Sequence, residues 1–170
     1  MRTRSVRRAA NIFVLLIATF GYAQMAKTPL KVPAHPNPNL YPANANANQE
    51  VKEAVAAAGR EHKRVLLVFG ANWCLDCHAL DSGFHQPRIA PLLNGNFKVV
   101  HVDIGRGEKN VDLVKKYHIP LEKGIPSLAV LNEHGGLLYS SAEFESARAM
   151  TEEDVIAFLN TWKPRADAKR

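Results

Sequence analysis

"KRVLLVFGANWCLDCHALDSGF", residues 63–84, decides the fold and carries the chain's only two cysteines, Cys74 and Cys77. Val65 to Phe69 form a continuous apolar run bounded by charged residues and Gly70. At that length the run reads as a strand buried on both faces, in the middle of an α/β sheet. It leads straight into Cys74, so the cysteines sit where a central strand becomes a helix. Backbone N–H groups point outward there without partners, and the helix dipole favours negative charge. A thiolate at Cys74 is stabilised by that position. Cys77, one helical turn on, lies beneath it and can attack a mixed disulfide on Cys74. Two other chemistries use the same residues. Cys74 to His78 satisfies C-x-x-C-H for a covalent c-type haem, with Met150, His85, His101, His118 or His134 as distal ligand. Cys74, Cys77, His78 and His85 could also form a four-ligand metal set. A purely structural bridge is the poorest reading, because a C-x-x-C pair closes too small a loop to stabilise much.

Outward from this stretch, the elements alternate. "QEVKEAVAAAGREH" (49–62) places Val51, Ala54, Val55 and Ala58 on one face, which predicts a helix with Asn48 as N-cap. "QPRIAPLLNG" (86–95) reads as a short helix ended by Gly95, and "FKVVHVDI" (97–104) as the next strand. "VDLVKKYH" (111–118) is a helix, acidic at its start and basic near its end, as the dipole favours. "SLAVL" (127–131) and "LLYSS" (137–141) flank the turn "NEHGG" as a hairpin. Thr151 with Asp154 makes a capping box for a last helix, which buries Val155, Phe158, Leu159 and Trp162. The expected class is α/β: a mixed central sheet with helices on both faces. Gly105-Arg106-Gly107 lacks the lysine and hydroxyl residue of a phosphate loop and is read as a turn.

The ends change the charge argument. Residues 1–23 begin with Arg2, Arg4, Arg7 and Arg8, continue through the apolar run Ile12–Phe20 and end in Gly21-Tyr22-Ala23. That is the layout of a secretory signal peptide cut after Ala23, and the run is shorter than the roughly 20 residues a bilayer span needs. The whole chain has 22 Lys+Arg against 16 Asp+Glu, or +6; without those four arginines the excess of base falls to about +2. A nucleic-acid reading based on charge therefore loses its support. Residues 24–48, rich in Pro, Asn and Ala, are expected to be a linker, with Leu40 and Tyr41 as an apolar pair able to dock on the fold. The domain is placed at 49–163, with a loose tail at 164–170. An exported chain meets an oxidising compartment, where two cysteines three positions apart serve reactivity or ligation rather than stapling.

"VLLVFGANWCLDCHAL" resembles the active-site segment of thioredoxins, with Trp73 before the first cysteine. "KGIPSLAVLNEHGGLL" resembles their second signature, an Ile-Pro at the head of a strand followed by a hairpin. "ANWCLDCHALD" and "VDIGRGEKN…PLEKGIP" are more narrowly similar to exported bacterial thioredoxin-like proteins. The resemblance covers roughly Gln49 to Trp162. It implies a thioredoxin fold and a thiol–disulfide oxidoreductase in which Cys74 attacks and Cys77 resolves. It further implies that Pro126 is cis and faces the cysteines, that the Ile125 backbone pairs with an extended substrate strand, and that Trp73 offers an apolar platform. Its implied partners are protein thiols and disulfides and a membrane thiol–disulfide electron donor, with no nucleic acid; the chain is read as a monomer using no cofactor and no metal. Two departures stand out. Thioredoxins carry a buried Asp six residues before the first cysteine, where this chain has Val68, so the resolving cysteine's proton must go to water, Asp76 or His78. "PLEK" (120–123) lengthens the connection before Gly124. Asp76, beside Cys74, disfavours its thiolate, which leans the pair towards a reductase, and a protonated His78 pushes the other way. Asp76 is equally readable as a first-turn acid favoured by the helix dipole.

Overall fold

A computed structural model describes residues 27–165; the expected signal peptide and the tail from 166 lie outside the described residues. The elements run α1 (Ala47–Glu61), β1 (Arg64–Gly70), α2 (Leu75–Phe84), α3 (Ala90–Asn96), β2 (Phe97–Asp103), α4 (Val111–Lys116), β3 (Ser127–Leu131), β4 (Leu137–Ser141) and α5 (Glu152–Trp162). Short 3-10 turns at Leu121–Lys123 and Ala147–Ala149 precede β3 and α5. The sheet order is β2-β1-β3-β4, with β1 parallel to β2 and antiparallel to β3, and β4 antiparallel to β3. This is the mixed sheet the alternation predicts, and β1 lies inside it.

Strand alternation sorts the core into two layers. Leu66 and Val68 of β1, with Leu128 and Val130 of β3, face Leu80 and Phe84 of α2, Leu93 of α3 and Val155, Phe158 and Leu159 of α5. Val65, Leu67 and Phe69, with Ala129 and Leu131, face Val51 and Ala58 of α1 and Leu113 of α4. Helices therefore cover both faces of the sheet, and this is why six successive residues of β1, from Val65, are buried.

Three local readings are refined. The cap of α1 is Asn46, whose side chain accepts from Gln49 N, so the helix starts two residues before the expected point. Helix α3 runs one residue past Gly95. At α5 both halves of the capping box form, while Trp162 is only half-buried. The segment ahead of α1 lies on the domain. Leu30 belongs to the first core layer, its N–H donates to Met150 O at 2.8 Å, and Pro29 bridges to Thr151. Leu40 and Tyr41 are buried against the two cysteines. Among the described residues no helix is long and apolar enough to cross a membrane.

Candidate active site

The buried run of β1 ends at Gly70, and a three-residue turn carries the chain to Cys74, the N-cap of α2. Cys74 is extended (φ −83°, ψ 109°), and its Sγ accepts from Cys77 N at 3.1 Å. A sulfur thus occupies the capping position that a Ser or Asp oxygen usually takes, facing the positive end of the helix. Cys74 and Cys77 are joined as a disulfide, with Cα atoms 5.2 Å apart. Cys74 is the more accessible sulfur residue, at 5% exposure against 1% for Cys77.

Opposite the pair stands the head of β3. The Ile125–Pro126 peptide bond is cis, and Ile125 O lies 3.6 Å from Cys74 Sγ, within reach of a thiol donor. Gly124 turns the chain in at φ 124°, a conformation that favours glycine, and its carbonyl accepts from Ser127 Oγ at 2.7 Å. The "PLEK" stretch supplies the 3-10 turn just before it.

Trp73 is 55% exposed, which excludes an ordinary core role. Its indole Nε1 donates to Gly105 O at 2.9 Å, and the Arg106 guanidinium sits 5.7 Å from the ring centroid. The loop after β2 therefore holds the ring in place next to Cys74, and the adjoining Leu75 is also half-exposed.

Asp76 and His78 are placed differently from each other and from the bare sequence. Asp76 takes a fork from Arg148, Nε at 3.1 Å and Nη2 at 3.0 Å, plus the Arg148 backbone N–H at 2.9 Å. Partial burial acts to raise its pKa, but the Arg148 hydrogen bonds and charge together outweigh it and hold the carboxyl below its usual range. Asp76 is thus paired with its own cation, which mutes its field at Cys74. His78 is buried and its Nε2 donates to Asn72 O at 2.8 Å. Asn72 in turn exchanges two hydrogen bonds with the Tyr41 backbone, at 2.9 and 2.8 Å. His78 therefore braces the turn from below. His85 is exposed at the far end of α2, on Asp81 O, so the four residues of the metal reading do not converge; among the described residues no group of three or more His, Cys, Asp or Glu could hold a metal ion.

Three participants were not legible as such. Arg148 is 72 residues from Asp76. Val68, six residues before Cys74, pairs in register with His101 of β2. His101 is nearly buried, with Nε2 3.7 Å from Asp81 Oδ1; burial lowers its pKa, against the opposing pull of Asp81. Tyr41 is wholly buried against Cys77, and only its apolar pairing with Leu40 hinted that it would dock.

A family model described as thioredoxin-like matches residues 46–133. The chain is similar to the crystal structure of a disulphide isomerase from Xylella fastidiosa Temecula1, at 38% identity over 72% of this chain and 95% of that one, with a TM-score of 0.69. It is also similar to the thiol:disulfide interchange protein DsbD of Pseudomonas fluorescens, at 26% identity over 122 residues, 71% of this chain. The chain spans 19% of that relative's length. The reduced C-terminal domain of Neisseria meningitidis DsbD shares the fold, at 20% identity and a TM-score of 0.51, over 68% of this chain and 96% of that one.

Proposed function

This chain belongs to the thioredoxin-like family, and from that premise we propose that it is a thiol–disulfide oxidoreductase acting on protein disulfides. The observation that carries the reading is the Cys74–Cys77 pair on the N-terminus of α2, opposite Ile125 O and the cis Pro126. The accessible Cys74 thiolate attacks a substrate disulfide, forming a mixed disulfide and releasing one substrate sulfur. Cys77 then attacks Cys74 Sγ, closing the internal disulfide and releasing the second. The helix N-terminus and the Cys77 N–H stabilise the Cys74 thiolate. An extended substrate strand pairs with the Ile125 backbone and rests on Trp73. The names of the similar proteins, a disulphide isomerase and an interchange protein, fit this chemistry.

Residues 1–23 serve as an export signal in this reading, the segment that follows packs on the domain ahead of α1, and the periplasm is the site of action. A reductase there needs electrons from a membrane thiol–disulfide relay. Asp76 alone favours a reductase, but Arg148 compensates its charge, so the direction depends on the potential of the cysteine pair itself. The test is a disulfide-reduction assay on insulin. Cys74→Ser should abolish turnover, and Cys77→Ser should accumulate mixed disulfides visible on non-reducing gels. Full activity in Cys74→Ser would sink the mechanism.

A further inference from the structure

Tyr41 comes from the segment ahead of α1, outside the elements that build the redox turn, yet its ring ends at the sulfur pair. It is completely buried, and among the described residues its hydroxyl has no hydrogen-bond partner. Such orphaned polar groups are rare in protein interiors, because phenylalanine would fill the same space without stranding a donor. The hydroxyl and Cys77 Sγ both lie within 3 Å of the point that a Cβ on Gly70 would occupy, so glycine there leaves the two facing each other. The ring has little freedom. Asn72 pins the Tyr41 backbone on both sides, and the His101 ring packs edge-on at 5.3 Å between centroids. The partner able to change is the sulfur: breaking the disulfide frees Cys77 to turn about its side-chain bond.

We propose that Tyr41 is a positioning residue of the redox pair, donating a hydrogen bond to Cys77 Sγ in the reduced protein and steadying its thiolate as it attacks. This rests on the exchange reading of the site given above. Burial, reinforced by the charges of Asp81 and Asp103, raises the phenol pKa well above its ordinary value, so Tyr41 stays protonated and acts as a donor only. The other titratable group packed on its ring is His101 on β2. The step balances within the exchange itself. The Cys77 thiolate bonds to Cys74 Sγ, the Cys74–substrate S–S bond breaks, and the electron pair leaves on the substrate sulfur. That sulfur takes up the proton Cys77 shed. A hydrogen bond to the charged form favours it, so the hydroxyl lowers the cost of ionising Cys77 without itself taking the proton.

The test compares the full chain with Tyr41→Phe, which removes only the hydroxyl. In a Cys74→Ser background, the rate of Cys77 alkylation against pH reports its thiolate fraction. Tyr41→Phe should lower that fraction about tenfold at a given pH, the effect of one hydrogen bond to a charged group. In the two-cysteine protein, titrated against dithiothreitol buffers, it should favour the disulfide about tenfold, or about 30 mV towards more reducing. A role in packing alone would move neither reading. Identical pH profiles and potentials, in a Tyr41→Phe pair that still titrates, would overturn the inference and leave the exchange reading standing. A wild-type pair that does not titrate would overturn both.

Discussion

Gly70→Ala adds one methyl group at the floor of the site, and its cost can be worked from the packing. The new Cβ would fall 2.6 Å from Tyr41 Cζ and 2.7 Å from Cys77 Sγ, with the Tyr41 hydroxyl also in contact. Comfortable contacts between carbon atoms are about 3.5–4.0 Å, so something must retreat by about 1 Å. The Tyr41 ring is fully buried and held by Asn72 and His101, and Cys77 is tied to Cys74. Overpacking of that kind costs about 1–3 kcal/mol. At about 4 °C per kcal/mol for a domain of this size, the midpoint should fall by about 8 °C for a cost of about 2 kcal/mol. The assay is thermal unfolding of the oxidised protein followed by circular dichroism. Gly95→Ala is the control: a Cβ there meets nothing within 4 Å, and the position lies inside α3. That substitution should stabilise by about 0.5–1 kcal/mol. Adding Tyr41→Phe to Gly70→Ala removes one of the crowding atoms and should recover part of the loss, a non-additive result. A Gly70→Ala protein melting within about 1 °C of wild type would refute the packing argument.

Leu30→Ala should cost about 2–4 kcal/mol in urea unfolding, because this residue of the leading segment is in the main core; a loss under about 0.5 kcal/mol would make the segment a dispensable tether. Thr151→Ala should cost about 1 kcal/mol by uncapping α5. That penalty should depend on pH. The Thr151 backbone N–H and hydroxyl hold Asp154 below its usual range, against a smaller opposing effect of burial. A lowered folded pKa gives stability that is present above the unfolded value of about 3.9 and lost as pH falls through the folded one. The gap between wild type and Thr151→Ala should therefore narrow below about pH 4, and a constant gap would contradict the linkage. Arg148→Ala should expose the Asp76 charge beside Cys74 and slow alkylation of Cys74 near neutral pH. Asp76→Asn added to it should restore the rate, and an unrestored rate would show that the ion pair acts through structure instead.

Much of the fold was legible because it is encoded locally. The unbroken apolar run of β1, the alternating helices and the Thr151–Asp154 spacing each depend on neighbours a few residues apart. The cysteine turn was legible for the same reason. What the sequence hid was long-range pairing: Arg148 folds back on Asp76 from 72 residues away, and nothing in either neighbourhood announces it. Asp76 read alone looks like a field on Cys74; with its partner it is a neutralised fork. His78 looked like a tuning charge because it follows Cys77, but helix geometry turns it into the interior, onto Asn72. Tyr41 was obscured by its setting, since a Pro- and Asn-rich stretch carries no period from which burial can be read. Asn46 displaced Asn48 as cap because Ala47 is also buried, which extends the helix by a half-turn.

The central claim is that Cys74 and Cys77 form one exchangeable redox pair, and redox titration of the purified protein tests it most directly. The protein is equilibrated in glutathione or dithiothreitol buffers, and the alkylatable thiols at each cysteine are counted by mass spectrometry. Both thiols should appear and vanish together as a single two-electron transition. A midpoint at or below about −250 mV marks a reductase, and one at about −120 to −180 mV an oxidase or isomerase. Thiols that never titrate, or that titrate independently of one another, would contradict the account.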